Sequence, residues 1–309
     1  MVAKAWLLAG ALCCATMAAE PVVKWSRIGS PDAVKIGPSN AIALNITSKT
    51  TAGAVSTARN VPRGADAVLV SARIADADER ALTFSVHDTA GGDTLAYWQN
   101  YIGLKQPITI AAVLVLDPHQ SGKSPPEMPQ AIRLFAGSDQ RPSTAKIDQL
   151  KWQFVHRGAG SGNAIWAYGV NDAHHAGQSF VAAGKLAAVK LRIRYLLEQP
   201  GPGLKLSIYR WQGNIAQTRQ GQSIGQAALI ADAVPAGVEG NERDVTIALP
   251  AATESGKAYL LEIIPDAPMP PEQKILLWAG PGNYEKGQCF DNNQLMDRWD
   301  LCFETYYAN

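Results

Sequence analysis

Hydrophobic and polar residues alternate along most of the chain, whereas apolar residues at helical spacing are nearly absent. Segments such as AVLVSARI (67–74), ALTFSVHD (81–88) and KIDQLKWQF (146–154) alternate with period two and are bounded by Gly, Pro, Asp or Asn. The pattern restarts after residue 163 in GQSFVA, LAAVKLRIRYL, LKLSIYRW and KAYLLEII. A period of two is typical of strands with one buried face. The sequence therefore predicts an all-β chain of sandwich or jelly-roll type.

A tract rich in Gly and Ser, HRGAGSGN (156–163), interrupts this pattern near the middle of the chain. It carries no periodic apolar residues, as is typical of a linker between domains. We therefore predict two β-sandwich domains in tandem, an N-terminal jelly-roll-like domain at 20–156 and a second sandwich at 163–309, joined by a linker at 157–162.

The N-terminal segment MVAKAWLLAGALCCATMAAE has the layout of a secretory signal peptide. It places Lys4 before an apolar run at 5–15 and small residues at Ala18 and Ala19. The run is too short to span a bilayer. We predict that residues 1–19 are removed and that the mature protein is exported to the periplasm or the medium, with no membrane span.

Charge and cysteine content narrow the class further. Removal of Lys4 from 28 basic residues leaves 27 against 27 acidic residues, and this balance argues against a nucleic-acid partner. Two of the four cysteines, Cys289 and Cys302, remain after processing. In an exported protein they are expected to form a disulfide, which would stabilise the fold by roughly 3 kcal/mol. The alternative is that both cysteines bind a metal ion, which would need two further ligand residues nearby.

Several motifs together resemble known carbohydrate-binding modules. Residues 163–307 resemble the non-catalytic β-sandwich modules of bacterial extracellular polysaccharide-acting enzymes, through GQSFVA, LKLSIYRW, GKAYLLEIIP and the closing YEKGQCF to DLCFETYY. Residues 22–154 resemble jelly-roll carbohydrate-binding modules through AVLVSARI, LTFSVHD and KIDQLKW. The resemblance implies a structural calcium ion, with Asp148 at the position of a last-strand ligand. An ordinary polar residue at a strand start is the alternative for Asp148.

Enzyme motifs are weak. GQSIG (221–225) matches the Gly-x-Ser-x-Gly nucleophile elbow, but the elbow requires a histidine after the serine, and all five histidines precede Ser223. We therefore predict a Gly-rich hairpin loop there.

In NDAHH (171–175), a carboxylate and two histidines are either candidate metal ligands or solvated loop residues. A glycosidase with two carboxylates stays open as an alternative, because such a pair leaves no sequence motif.

The segment KLSIYRW (205–211) carries the main candidate for a binding surface. If it is a strand, Leu206 and Ile208 point to one face while Tyr209 and Trp211 point to the other. Two large rings on a solvent face are typical of a platform on which sugars stack. A bulge that turns Trp211 back into the core is the alternative.

The strand AAVKLRIRYL precedes this segment and places Lys190, Arg192 and Arg194 on its polar face. The short connection EQPGPG suggests that the two strands pair, which would set Tyr209 and Trp211 beside this basic stripe. Such a surface fits an acidic glycan. Alternatively, the arginine stems cover the rings in cation–π contacts without any ligand.

A second aromatic group occurs in AYWQNYIG of the first half. Neighbours in a strand diverge, and Tyr97 shares its face with Leu95, so Trp98 is predicted to be the exposed, ligand-binding ring. Four other tryptophans sit among apolar alternations and are predicted to be core residues: Trp25, Trp152, Trp166 and Trp278.

These patterns together predict an exported, non-catalytic carbohydrate-binding protein that needs no cofactor and stacks aromatic rings on a polysaccharide or other glycan, including an acidic one. The alternatives are a polysaccharide-acting glycoside hydrolase and a structural or adhesive envelope protein that binds another protein through an edge strand.

Overall fold

The computed structural model describes residues 23–38, 41–77, 82–89, 94–100, 108–117, 128–138, 142–162, 164–196, 201–231, 234, 240, 242–282 and 284–309. The predicted signal peptide lies outside this part. Within it the chain forms 23 strands and one short helix, α1 (Ile215–Gln220). No helix among these residues is long and apolar enough to cross a membrane. The predicted all-β class is confirmed.

The strands form three antiparallel sheets. The first outer sheet has the order β1 (Trp25–Ile28), β4 (Ala52–Ser56), β10 (Ala131–Ser138), β7 (Leu82–Asp88) and β8 (Thr94–Asn100), with β5 (Arg59–Asn60) beside β10. The second outer sheet has the order β16 (Gly225–Leu229), β15 (Leu204–Arg210), β18 (Ala258–Pro265), β13 (Ala176–Val181), β20 (Cys289–Asp291) and β21 (Gln294–Leu295).

The central sheet has eleven strands and draws them from both halves of the chain. Its order is β12 (Trp166–Val170), β19 (Ile275–Pro281), β14 (Leu186–Tyr195), β17 (Arg243–Ala251), β9 (Ile108–Val115), β6 (Ala67–Ala77), β11 (Ser143–Ser161), β3 (Ile42–Ile46) and β2 (Val34–Ile36). In addition, β22 (Trp299–Leu301) pairs with β19, and β23 (Phe303–Ala308) pairs with β11 and β14.

Each outer sheet packs on one part of the central sheet and encloses a core. Alternation puts Val68 and Val70 of β6 into the first core, opposite Leu134 of β10. Likewise Leu191 of β14 and Leu206 of β15 lie in the second core. The apolar alternation in the sequence therefore corresponds to two sandwich-like cores.

Six strands of the central sheet close into a ring where the two halves meet. Strand β6 pairs with β9 and β11, β23 joins β11 to β14, and β17 joins β14 to β9 through the pair Thr246 and Ala111. Residues on these strands that face away from both cores form a third apolar cluster, including the buried Leu69, Val155 and Tyr306. The two halves thus share a sheet and a cluster, and the tandem arrangement of separate domains is not confirmed.

The predicted linker at 157–162 is wrong, because the segment continues strand β11. Arg157 pairs with Tyr306 and Ser161 with Phe303 of β23, with a bulge between Arg157 and Gly160. A Cβ atom on Gly158 would lie 2.1 Å from the Tyr307 ring. These glycines therefore permit close approach of two strands, and their sequence signal is the same as that of a flexible tether.

Candidate functional site

The strands β14 and β15, which we predicted to pair, lie in different sheets. Strand β14 pairs with β17, β19 and β23 of the central sheet, whereas β15 pairs with β16 and β18 of the second outer sheet. The connection between them crosses from one sheet of the sandwich to the other. The predicted joint surface of rings and basic residues is therefore wrong.

Tyr209 and Trp211 lie on the face predicted for them. Leu206 and Ile208 are fully buried in the second core, while Tyr209 and Trp211 lie on the opposite face of the sheet. Both rings are only half exposed, however, and the Trp211 ring packs 5.6 Å from that of Phe290. Helix α1 covers this face, so the two rings belong to a small apolar cluster with Ile215, Leu260 and Phe290.

Helix α1 is held onto this face by an ion pair. Arg219 Nε lies 2.6 Å from Glu262 Oε1, and Arg219 Nη1 donates to Asn293 Oδ1 at 2.8 Å. Burial, with a further contribution from the Glu262 charge, raises the pKa of Tyr209. The Asn214 side chain caps the helix by accepting from the Gln217 amide at 2.9 Å. The rings at 209 and 211 therefore serve mainly to seat this helix.

Two of the three residues of the predicted basic stripe are paired with acids, and the third is buried. Lys190 Nζ lies 3.0 Å from Glu304 Oε2, and Arg192 Nε lies 3.0 Å from Asp244 Oδ1. Arg194 is buried, with its guanidinium 5.6 Å from the centre of the Trp278 ring. Burial alone would raise the pKa of Glu304, but hydrogen bonds from Tyr306 and Lys190 and the Lys190 charge hold it below its usual value. This face therefore presents a balanced set of charges to an acidic ligand.

In the first half, Tyr97 rather than Leu95 points outward. The pairing of β7 and β8 shifts between Val86 and His87, so that Leu95 and Ala96 are both buried and the faces exchange. Tyr97 is 52 % exposed as a result. The prediction that Tyr97 shares the face of Leu95 is wrong for this reason. Trp98 pairs with Phe84 in the sheet, and its side chain lies outside the described residues.

Asp148 is the extra residue of a second bulge. Ile147 pairs with Ile74 and Gln149 with Arg73, which leaves Asp148 between them, and Lys146 Nζ lies 3.4 Å from its Oδ1. The part of the chain that the structure describes contains no group of three or more His, Cys, Asp or Glu side chains placed to bind a metal. Asp148 thus belongs to no such group among the described residues.

Cys289 and Cys302 are both free, so the predicted disulfide is wrong. Cys289 lies in the second core, where burial raises the pKa of its thiol to about 12. Leu301 and Phe303, the chain neighbours of Cys302, both point into that same core. Cys302 therefore faces the other side of the central sheet, in a shallow cleft beside Arg192 and Glu304.

The GQSIG segment is not a nucleophile elbow. It follows helix α1 and precedes strand β16, the reverse of the strand, turn and helix that an elbow requires. Ser223 Oγ accepts a hydrogen bond from Gln226 Nε2 at 2.7 Å.

The most exposed tryptophan whose side chain is described lies at the start of strand β12. Trp166, Tyr168 and Val170 share one face of this strand, and Tyr168 and Val170 are buried in the second core. Trp166 is 44 % exposed, because it is the first residue of the strand and lies beyond the apolar core. The prediction that Trp166 is a core residue is therefore wrong.

Trp299 of β22 completes an aromatic group with these residues. The Trp166 ring lies 5.4 Å from that of Trp299 at an angle of 53°, and 6.0 Å from that of Tyr168 at 61°. His174 continues the row, with its ring 6.4 Å from that of Tyr168. We name Trp166, Tyr168, Trp299, His174 and the adjoining Asp291 the edge cluster, because β12 is the last strand of the central sheet.

Asp291 joins the two sheets at this edge. It lies at the end of β20 in the second outer sheet, where the Tyr168 hydroxyl donates to its Oδ1 and His174 Nδ1 lies 3.1 Å from its Oδ2. Burial, followed by this hydrogen bond, raises the pKa of Tyr168. The carboxylate and the imidazole both keep part of their surface exposed.

Local turns fix these polar groups in place. The Asn171 side chain accepts from the Ala173 and His174 amides at 2.9 and 3.1 Å, which orders the turn before His174. Asn292 has a φ of 52° in the hairpin after Asp291, and its side chain accepts from the His175 amide and donates to the Ala173 carbonyl. The edge cluster is therefore preorganised by hydrogen bonds between a loop and a hairpin.

The edge cluster combines the partly exposed ring face of Trp166 with a carboxylate and an imidazole that contact the neighbouring Tyr168. A ring face of this kind stacks on the apolar side of a sugar, while the carboxylate accepts hydrogen bonds from hydroxyl groups. The alternation of the sequence does not indicate that Trp299, His174 and Asp291 belong to one site. The only signal was a tryptophan at the start of a strand shortly before NDAHH, and the partners of that segment lie more than 100 residues later.

Comparisons with known proteins give little beyond this geometry. No family model matches the chain, and no curated protein matches its sequence. The N-terminal CBM22-1–CBM22-2 tandem domain of Paenibacillus barcinonensis Xyn10C has a TM-score of 0.26 and 9 % identity over 92 % of this chain and 93 % of that one. The VP2 subviral particle of infectious bursal disease virus has a TM-score of 0.23 and 9 % identity, over 93 % and 71 %. At these TM-scores neither comparison supports a conclusion about the function of this chain.

Proposed function

We propose that this protein is a non-catalytic polysaccharide-binding protein that uses the edge cluster as its binding site. The observation that carries the proposal is the exposed Trp166 ring at an open sheet edge, held against Trp299 and Tyr168, with Asp291 bonded to the Tyr168 hydroxyl. Aromatic faces and hydrogen-bond acceptors side by side are the two groups that sugars require.

The surroundings of the edge cluster favour a binding role over a purely structural one. Ile165 is 70 % exposed and Leu295 is 50 % exposed, so Trp166 is one of several large apolar side chains left in water in this half of the protein. Single exposed apolar residues are ordinary, but Trp166 is also fixed by two ring contacts. A rigid exposed ring loses little conformational entropy when a ligand binds.

Export belongs to the same proposal. The cluster can reach a polysaccharide outside the cell only if the N-terminal segment directs secretion, as its signal-peptide layout predicts. N-terminal sequencing of the secreted protein should begin at Glu20. Retention of residues 1–19 on the mature protein would contradict this part of the proposal.

Affinity electrophoresis in gels containing soluble polysaccharides tests the binding function. We expect at least one polysaccharide to retard the protein, and a reducing-sugar assay with that polysaccharide to show no release of ends. Retardation that is unchanged in Trp166→Ala would remove the edge cluster as the site. Release of reducing ends would favour the glycoside hydrolase alternative.

A further inference from the structure

The rings of the edge cluster cannot lie flat against one surface. The Trp166 and Trp299 planes are inclined by 53°, and the Trp166 and Tyr168 planes by 61°. A planar ligand surface that stacks on the face of Trp166 therefore meets Trp299 at an angle. A single sugar ring can stack on the exposed face of Trp166, whereas a flat ligand surface cannot lie face to face with both rings.

The unequal burial of the three rings supports the same geometry. Tyr168 is buried and Trp299 is half-buried, while Trp166 is the ring with the largest free area. The cluster therefore offers one ring face for stacking, that of Trp166, and the more buried Trp299 and Tyr168 rings lie beside it. A flat crystalline polysaccharide would instead need several coplanar and similarly exposed rings to gain contact area.

The polar groups of the cluster add a second restriction. The Asp291 carboxylate and the His174 imidazole can take hydrogen bonds only from sugar hydroxyl groups that have no other partner. In a crystalline polysaccharide the hydroxyl groups are bonded to neighbouring chains, whereas on a single hydrated chain they can exchange water for Asp291. Burying the carboxylate against a surface that offers no donor would cost binding free energy.

The charge of the site argues against an acidic ligand. The Asp291 carboxylate accepts from the Tyr168 hydroxyl and is paired with His174, and the Arg219 charge also acts on Tyr168. The neighbouring Arg298 points into solvent with Asp297 beside it, 3.9 Å from Arg298 Nε to Asp297 Oδ2. Lys190 and Arg192, the residues we first predicted to hold an acidic glycan, are already paired with Glu304 and Asp244.

We infer that the edge cluster selects single, neutral polysaccharide chains and rejects both crystalline and polyanionic polysaccharides. The inference rests on the proposed function and assigns its ligand class. It replaces the acidic ligand that the basic residues suggested in the sequence.

The test compares three ligand classes with the same protein. We would measure depletion of the protein by crystalline cellulose and by crystalline chitin, and retardation by neutral soluble polysaccharides (xylan, laminarin and galactomannan) and by polygalacturonate. We expect retardation by at least one neutral soluble polymer, no depletion by the crystalline polymers and no retardation by polygalacturonate. In Trp166→Ala the retardation should fall at least fivefold, and Trp166→Tyr, which keeps a flat ring, should restore part of it.

Each contrary outcome has a separate meaning. Depletion by crystalline cellulose or chitin that is lost in Trp166→Ala would overturn the inference and leave the binding function standing. Retardation by polygalacturonate that is lost in Trp166→Ala and weakened by salt would overturn the neutral-ligand part. Failure of all these polymers to bind would overturn the proposed function itself. Thermal unfolding of each variant shows that the comparison is made between folded proteins.

Discussion

Replacement of Trp166 by alanine is the most direct test of where a ligand binds. Trp166 is 44 % exposed, which for a tryptophan of roughly 250 Å² leaves on the order of 110 Å² available for contact. At about 25 cal/mol per Å², a sugar that covers half to all of this area gains about 1.5 to 3 kcal/mol. Loss of that contact should weaken polysaccharide binding about 10- to 100-fold.

The same change should have a modest effect on folding. Trp166 contacts the rings of Trp299 and Tyr168, and each such ring pair contributes about 0.5 to 1.5 kcal/mol. We therefore expect Trp166→Ala to destabilise the protein by about 1 to 3 kcal/mol, at or below the lower end of the roughly 3 to 5 kcal/mol expected for a buried tryptophan. Thermal unfolding and calorimetric titration with a polysaccharide that binds would give both quantities.

Trp211→Ala is the matched control, because it removes a second half-buried tryptophan that packs on Phe290 near helix α1. We expect this variant to lose stability and to keep its affinity for the polysaccharide. Normal binding by folded Trp166→Ala, with weakened binding by Trp211→Ala, would refute the reasoning. That result would return the site to the face that the sequence first indicated.

Three further predictions concern the frame around the site. Limited proteolysis should leave 157–162 uncut, because the segment continues β11 and pairs with β23; release of two folded halves would contradict the shared sheet. Alkylation of the native protein should modify Cys302 first and Cys289 only after unfolding, because Cys289 is buried; a mass 2 Da lower and no reaction would instead show a disulfide. The folded state lowers the pKa of Glu304 below its usual 4.5, so the stability that Glu304 contributes is complete above pH 4.5 and is lost as the pH falls through the lowered pKa. Glu304→Gln should therefore reduce the loss of stability in acid. An unchanged dependence of stability on pH in this variant would contradict the assignment.

The class of fold could be predicted from the sequence because alternation is a local property. Strands such as β6 and β15 carry their buried face in every second residue, and the structure places Val68, Val70, Leu206 and Ile208 in the cores as the pattern indicates. The same alternation gave the correct face for Tyr209 and Trp211. Which side of a strand a residue occupies was therefore largely determined by the sequence.

Bulges mark the limit of this local reasoning. A single extra residue in β8 exchanges the faces after Leu95, and nothing in AYWQNYIG distinguishes that strand from a regular one. The glycines at 158 and 160 likewise led to the prediction of a linker, because local composition does not show which strand lies beside them. Their composition is that of a flexible segment, although the strand needs them to pass close to Tyr307 and Phe303.

The candidate site was decided only by the tertiary structure. Alternation tells which face a side chain occupies, but what covers that face depends on strands that are distant in the chain. Helix α1 and Phe290 cover Trp211, whereas Trp166 lies past the end of the core and stays in water. The pairing of β14 with central strands, away from β15, likewise separated the basic residues from the rings. The sequence by itself determined strands and faces, and the long-range pairing of those strands determined which rings a ligand can reach, because burial is a property of the whole assembly of sheets.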